Sequence, residues 1–139
     1  MSPTKNSLAS QRSLVFITAE YPFGKQETFI ENEITLLSEV FDQIVVLPKN
    51  TPGAARTMPP NCSLGSPYGA VSATRANNLL WKEWLRIKGH VGKSKVAYRS
   101  WQSINKRLTQ IKASTKDIAG EIIYYSYWLD EGAMATVYL

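Results

Sequence analysis

Residues 14–48 read LVFITAEYPFGKQETFIENEITLLSEVFDQIVVLP, and the changes of rhythm inside that stretch decide the fold class. Leu14-Val15-Phe16-Ile17-Thr18 is an unbroken apolar and β-branched run, the pattern of a strand buried on both faces in a parallel sheet. Tyr21-Pro22-Phe23-Gly24-Lys25-Gln26 then interrupts any regular element and predicts a loop at that strand's carboxyl end. From Glu27 or Thr28 the spacing turns helical: Ile30, Ile34, Leu37 and Val40 with Phe41 share one side, and Glu31, Glu33, Ser38 and Glu39 lie largely off it. Thr28 and Glu31 also fit a capping box, in which the hydroxyl and the carboxylate each satisfy a free backbone N–H of the first turn. Ile44-Val45-Val46-Leu47 is a second buried-type strand, stopped by Pro48. Strand, helix and strand make a βαβ unit, for which a right-handed crossover is expected.

Working outward, residues 1–13 are polar and read as a disordered lead-in to one domain over residues 14–139. Residues 48–70 hold five of the seven prolines and show no period, which predicts a long loop. Leu79 to Lys88 reads as a short helix carrying Leu80, Trp81, Trp84 and Leu85, broken by the glycines at 89 and 92. Lys93 to Ile111 repeats apolar residues at Ala97, Trp101, Ile104, Leu108 and Ile111, an amphipathic helix with a basic outer face. A third strand is expected at Glu121–Tyr125, then a loop from Ser126, then a helix over Gly132–Leu139 with Asp130 as its cap. The pattern as a whole predicts an α/β fold, a Rossmann-like parallel sheet flanked by helices.

A chain of 139 residues, 44% hydrophobic and 19% charged, has the composition of an ordinary globular domain and can bury a sizeable core. Its single cysteine, Cys62, excludes an internal disulfide and a cysteine zinc site. The apolar run near the start is too short for a signal peptide, and no run approaches a membrane span, so a cytoplasmic location with peripheral attachment at the inner membrane face is expected. The formal charge of +5 is uneven: from Arg75 to Lys112 ten basic residues face one acid, Glu83. Trp81 and Trp84 with Lys82, Arg86 and Lys88 fit a helix lying in an anionic membrane surface. They equally fit a helix whose tryptophans enter the core, and less well a nucleic-acid platform, so no nucleic-acid partner is expected.

In open α/β sheets ligands collect outside the carboxyl ends of the strands. Two loops qualify. Tyr21–Thr28 offers Gly24 for close backbone approach, Lys25 as a positive charge, and Glu27 and Thr28 at the helix start; it reads as a phosphate or sugar contact, or as a plain βα turn. Tyr125–Gly132 offers Ser126, Trp128 and Asp130, a mixture of aromatic faces and acceptors that suits carbohydrate, although its aromatics also suit a core or an interface. The dinucleotide fingerprint and the P-loop are both absent, and His90 and Cys62 stand apart from any nucleophile–base pair or metal cluster, so no metal and no cofactor are expected.

Taken together, Tyr21-Pro22-Phe23-Gly24-Lys25-Gln26-Glu27-Thr28-Phe29-Ile30-Glu31-Asn32-Glu33-Ile34 and Tyr124-Tyr125-Ser126-Tyr127-Trp128-Leu129-Asp130-Glu131-Gly132 resemble the N-terminal domain of family 4 glycosyltransferases. These are retaining enzymes of two Rossmann domains (GT-B) that build bacterial polysaccharides. The resemblance implies an incomplete, first half of a GT-B fold that shapes the acceptor side of a cleft. The Gly24 loop would border donor diphosphate and acceptor, and the Ser126–Asp130 loop would line the cleft. It further implies transfer from a nucleotide-sugar donor to a polysaccharide or lipid-linked acceptor, without metal, with the donor held by a C-terminal domain, so that this chain is inactive alone. The loop at 125–130 lacks the histidine many relatives carry there, which leaves catalytic residues unassigned. The alternative is a non-catalytic α/β module that binds a membrane or a partner.

Overall fold

The computed structural model describes residues 11–70, 85 and 95–139. Strand β1 (Arg12–Thr18), helix α1 (Phe29–Val40) and strand β2 (Gln43–Pro48) form the βαβ unit. A short strand β3 (Cys62–Leu64), a long helix α2 (Lys95–Thr115), strand β4 (Glu121–Ser126) and a short helix α3 (Glu131–Thr136) follow. The four strands form one sheet in the order β3-β2-β1-β4, every neighbouring pair parallel.

The apolar runs explain this arrangement. Every residue of β1 after Arg12 is buried, because alternate side chains enter two different cores. Leu14 and Phe16 join Ile44, Val46, Tyr21, Ile30 and Ile34 on the α1 face. Val15 and Ile17 join Val45, Leu47, Ile104, Leu108, Ile111 and Ala135 on the face of α2 and α3. The chain crosses the sheet in opposite directions between β1 and β2 and between β3 and β4, and crossovers of one hand then put helices on opposite faces. The result is a three-layer α/β/α sandwich, as an α/β fold with a flanked parallel sheet requires.

Several expectations need correction. β1 begins at Arg12, so the last two residues of the expected lead-in belong to the sheet; Arg12 N–H donates to Asp42 (2.8 Å), and Ser13 is buried. The loop expected over 48–70 contains β3, which is three residues long and pairs with Ile44–Val46. Val40 lies outside the apolar face of α1 and is half exposed, whereas Leu37 and Phe41 pack against the core. The capping box does not form. Thr28 already has helical angles (φ −61°, ψ −26°), which turn its hydroxyl away from the first-turn N–H groups, and Glu31 instead pairs with Arg56 at 2.6 Å. Helix α2 runs four residues past Ile111, and α3 ends at Thr136 rather than Leu139. The basic outer face of α2 lacks one expected member, because Arg107 points inward and is fully buried.

Of the segment read as the Trp81/Trp84 helix, only Leu85 is described, and it is helical and half exposed. Trp81, Lys82, Trp84, Arg86 and Lys88 lie outside the described residues, as do residues 1–10. No helix among the described residues is long and apolar enough to cross a membrane.

Candidate functional site at the carboxyl edge of the sheet

The sheet order places the topological switch between β1 and β4, since the chain leaves β1 toward β2 on one side and β4 joins it on the other. Loops diverge at such a point and leave a crevice. The loops that follow β1 (residues 19–28) and β4 (residues 127–130) meet there, and Glu27 joins them.

Glu27 is 7% exposed and has a left-handed backbone (φ 56°), which turns its side chain back toward the end of β1. Its Oε2 accepts the N–H groups of Glu20 (2.8 Å) and Tyr21 (2.9 Å), and Oε1 accepts that of Ala19 (3.2 Å). Three successive backbone N–H groups thus form a small anion cradle, filled by the chain's own carboxylate. The same Oε1 accepts the indole N–H of Trp128 at 2.8 Å, which ties the second loop to the first. Burial alone would raise the Glu27 carboxyl, but these hydrogen bonds outweigh it and hold the group below its ordinary value.

The carbonyl side of the first loop is fixed by Arg56. Its guanidinium donates to the carbonyls of Pro22 (3.2 Å), Phe23 (3.3 Å) and Gln26 (2.9 Å), pairs with Glu31, and lies 5.0 Å from the Tyr21 ring centroid. Gly24 (φ 66°) donates its N–H to Pro52 (2.9 Å), and a Cβ there would stand 2.5 Å from Glu20 Oε2 and 3.1 Å from Pro52 Cγ. The left-handed backbone angle favours glycine at this position. Lys25 and Thr28 are exposed on the outer surface of the loop.

In the second loop, Ser126 Oγ donates to the Trp128 carbonyl at 2.9 Å, and Asp130 Oδ1 accepts the N–H groups of Gly132 (2.7 Å) and Ala133 (3.4 Å). Asp130 therefore caps α3 as expected. Between these anchors the aromatics form a wall. Tyr127 packs on Phe29 (centroids 4.7 Å apart, tilted 38°), and Trp128 meets both Tyr127 (5.5 Å) and Phe29 (6.5 Å) edge-on. Phe29, Tyr127 and Trp128 remain 42%, 42% and 46% exposed, so their rings offer apolar faces to solvent from a hydrogen-bonded base. Beneath them Tyr125 stacks near Phe16 and donates its hydroxyl to Glu33 at 2.9 Å.

A buried cation lies under the site. Arg107 Nη2 donates to the carbonyl of Thr18, and Nη1 to the carbonyl of Leu47 and to Gln110 Oε1, at 2.7–2.9 Å. Gln110 in turn donates to the carbonyls of Pro48 (3.1 Å) and Ser66 (2.8 Å). Burial works against the guanidinium charge, and the nearby carboxylates of Asp130, Glu131 and Glu27 with Tyr68 offset part of that penalty. Beside it Lys49 pairs with Glu131, whose Oε1 also accepts from Ser103 Oγ at 3.2 Å.

The two loops singled out in the sequence are thus neighbours, and Glu27, Ser126, Trp128 and Asp130 are bonded within or between them. Sequence reasoning missed Arg56, Arg107 and Phe29. Arg107 stands three residues after Ile104 and four before Ile111, so helical spacing alone puts it on their side of α2. No group of histidine, cysteine, aspartate and glutamate among the described residues has the arrangement of a metal site. Comparison with protein-family models, with curated proteins and with solved structures returns no match for this chain.

Proposed function

We propose that this chain is the N-terminal, acceptor-side domain of a glycosyltransferase that moves a sugar from a nucleotide-sugar donor to a glycan or lipid-linked acceptor. The observation that supports this most directly is the exposed aromatic wall of Phe29, Tyr127 and Trp128, held by Glu27 at the switch point of a parallel sheet. Sugars present C–H faces that pack on aromatic rings, and such contacts need ring planes fixed in advance. The first loop supports an acceptor role more than a diphosphate role, since its three N–H groups already hold the Glu27 carboxylate. In this reading a second Rossmann domain binds the donor. Transfer then joins the sugar's anomeric carbon to an acceptor oxygen as the nucleoside diphosphate departs.

The test is a titration of the ¹⁵N-labelled chain with soluble oligosaccharides, read at the Trp128 indole N–H. Saturable shifts there that disappear in Tyr127→Ala are expected. Titrations that leave this resonance unmoved up to tens of millimolar, taken as roughly the weak limit of specific recognition, would refute the reading. Incubated alone with a nucleotide sugar and a polyprenyl-linked acceptor, the 139-residue chain is expected to give no transfer product.

A further inference from the structure

The loop after β4 has a second side. The aromatic wall faces α1, whereas on the opposite face of the sheet the same loop borders a cavity of about 370 Å³ between α2 and the first turn of α3. That volume lies in the range of sites for small ligands. Arg99 and Ser100 line it from α2, Asp130 and Glu131 from the loop and the start of α3, and Ile104 and Met134 supply apolar surface. Leu129, which is 99% exposed, stands at the rim.

Both carboxylates are anchored by hydrogen bonds. Asp130 Oδ1 takes both N–H groups of the α3 cap, and Glu131 Oε1 takes both Lys49 Nζ and Ser103 Oγ. Both carboxylates line the cavity, and Asp130 Oδ2 has no hydrogen-bond partner among the described residues. Ser103 is itself held, its hydroxyl lying 2.9 Å from that of Tyr68. Burial favours the neutral form of Glu131, but Lys49, the backbone and Ser103 outweigh it and keep the group ionised.

The charges of Asp130 and Glu131 are met by those of Lys49, Arg99 and the buried Arg107. A phosphate would face two carboxylates, and an amine would face Arg99. A neutral polyol is accommodated by all of them, because hydroxyls donate to carboxylates and accept from a guanidinium. Building on the glycan-binding reading above, we propose that this cavity is a second subsite that holds one neutral hexopyranose ring. Its hydroxyls donate to the carboxylates of Asp130 and Glu131, and its C–H face lies on Ile104 and Met134. A glycan would then be gripped on both sides of the loop at residues 127–130, by ring faces on one side and by carboxylates on the other.

The ¹⁵N-labelled chain, titrated with methyl α-glucopyranoside, methyl α-galactopyranoside and methyl α-mannopyranoside, tests this, with glucose 1-phosphate and glucosamine as charged controls. At least one neutral glycoside is expected to give saturable shifts at the amides of Ser100 and Gly132, with the charged sugars weaker. Asp130→Asn combined with Glu131→Gln keeps a cap oxygen and should weaken binding about tenfold, the equivalent of one good hydrogen bond. Arg99→Ala, at an exposed position, should weaken it too and serves if the double variant fails to fold. The subsite is overturned by neutral glycosides that leave Ser100 and Gly132 unmoved, by undiminished binding in the folded variants, or by tighter binding of a charged control. A glycoside that moves the Trp128 indole but not Ser100 overturns the subsite and leaves the acceptor-side reading standing. One that moves Ser100 but not Trp128 supports the subsite and removes the aromatic wall from the site.

Discussion

Replacing Glu27 with glutamine changes one oxygen to an amide nitrogen and leaves the shape of the side chain intact. The carboxylate accepts four N–H groups, two on each oxygen: Ala19 and Trp128 on Oε1, Glu20 and Tyr21 on Oε2. A glutamine in either orientation keeps one pair and turns its own NH₂ toward the other, so donor faces donor. Leaving a buried donor without an acceptor costs about 1–3 kcal/mol. Water can reach part of this loop, so the two orphaned groups together should cost about 3 kcal/mol, a large share of the roughly 5–15 kcal/mol that holds a domain folded. The melting temperature should fall by about 10 °C. Urea and thermal unfolding of both proteins, followed by far-UV circular dichroism at pH 7, measure this directly.

The pH dependence supplies an independent check. The folded-state carboxyl titrates below its unfolded value of about 4.3, so its contribution is complete above that pH and is lost as pH falls through the lower, folded value. Wild type and Glu27→Gln should therefore differ by a constant amount at neutral pH and converge in acid. A neutral-pH difference below about 0.5 kcal/mol, the usual range for surface substitutions, would refute the account of Glu27 as the tie between the two loops.

Arg107→Met should destabilise by about 3 kcal/mol in the same unfolding assay, because the carbonyls of Thr18 and Leu47 and the Gln110 amide oxygen lose their donor together. Gly120→Ala should cost more than about 2 kcal/mol, since the backbone there has φ 90° and the new Cβ would overlap the Gln11 carbonyl. Thr28→Ala should be nearly neutral, as no side-chain cap bond exists to lose, whereas Asp130→Ala should cost about 1 kcal/mol by uncapping α3. Burial pushes the Cys62 thiol up to about 11, so at pH 8 it should react with iodoacetamide far more slowly than a free cysteine, and the two rates should converge in urea.

Strands β1 and β2 were legible because both faces of a central parallel strand must be apolar, and such runs are conspicuous; β4, at the sheet's edge and only partly buried, was legible from its β-branched and aromatic run Ile122–Tyr125. β3 was not, since Cys62-Ser63-Leu64 is too short to show a period and is held by pairing with Ile44–Val46 rather than by its own pattern. The two candidate loops could be found from the rule that sites gather at carboxyl ends. What joins them could not. Glu27 and Arg56 belong to residue types that usually face solvent, and each is held by groups outside its own stretch of sequence: the Trp128 indole, 101 residues on, for Glu27, and the carbonyls of Pro22, Phe23 and Gln26 for Arg56. The capping box at Thr28 misled for a related reason. The spacing was right, but the left-handed turn at Glu27 delivers Thr28 already in the helix, and spacing carries no information about that angle.

The cradle after β1 has one further consequence. Three N–H groups in a row would attract any small anion, inorganic phosphate among them. Here the competitor is covalently attached, six to eight residues along the same chain, so its local concentration is fixed and cannot be diluted away. Free phosphate must displace a tethered carboxylate and also cut the link to Trp128. Selectivity at this edge thus begins with a resident inhibitor. The three N–H groups are thereby closed to the commonest small anions.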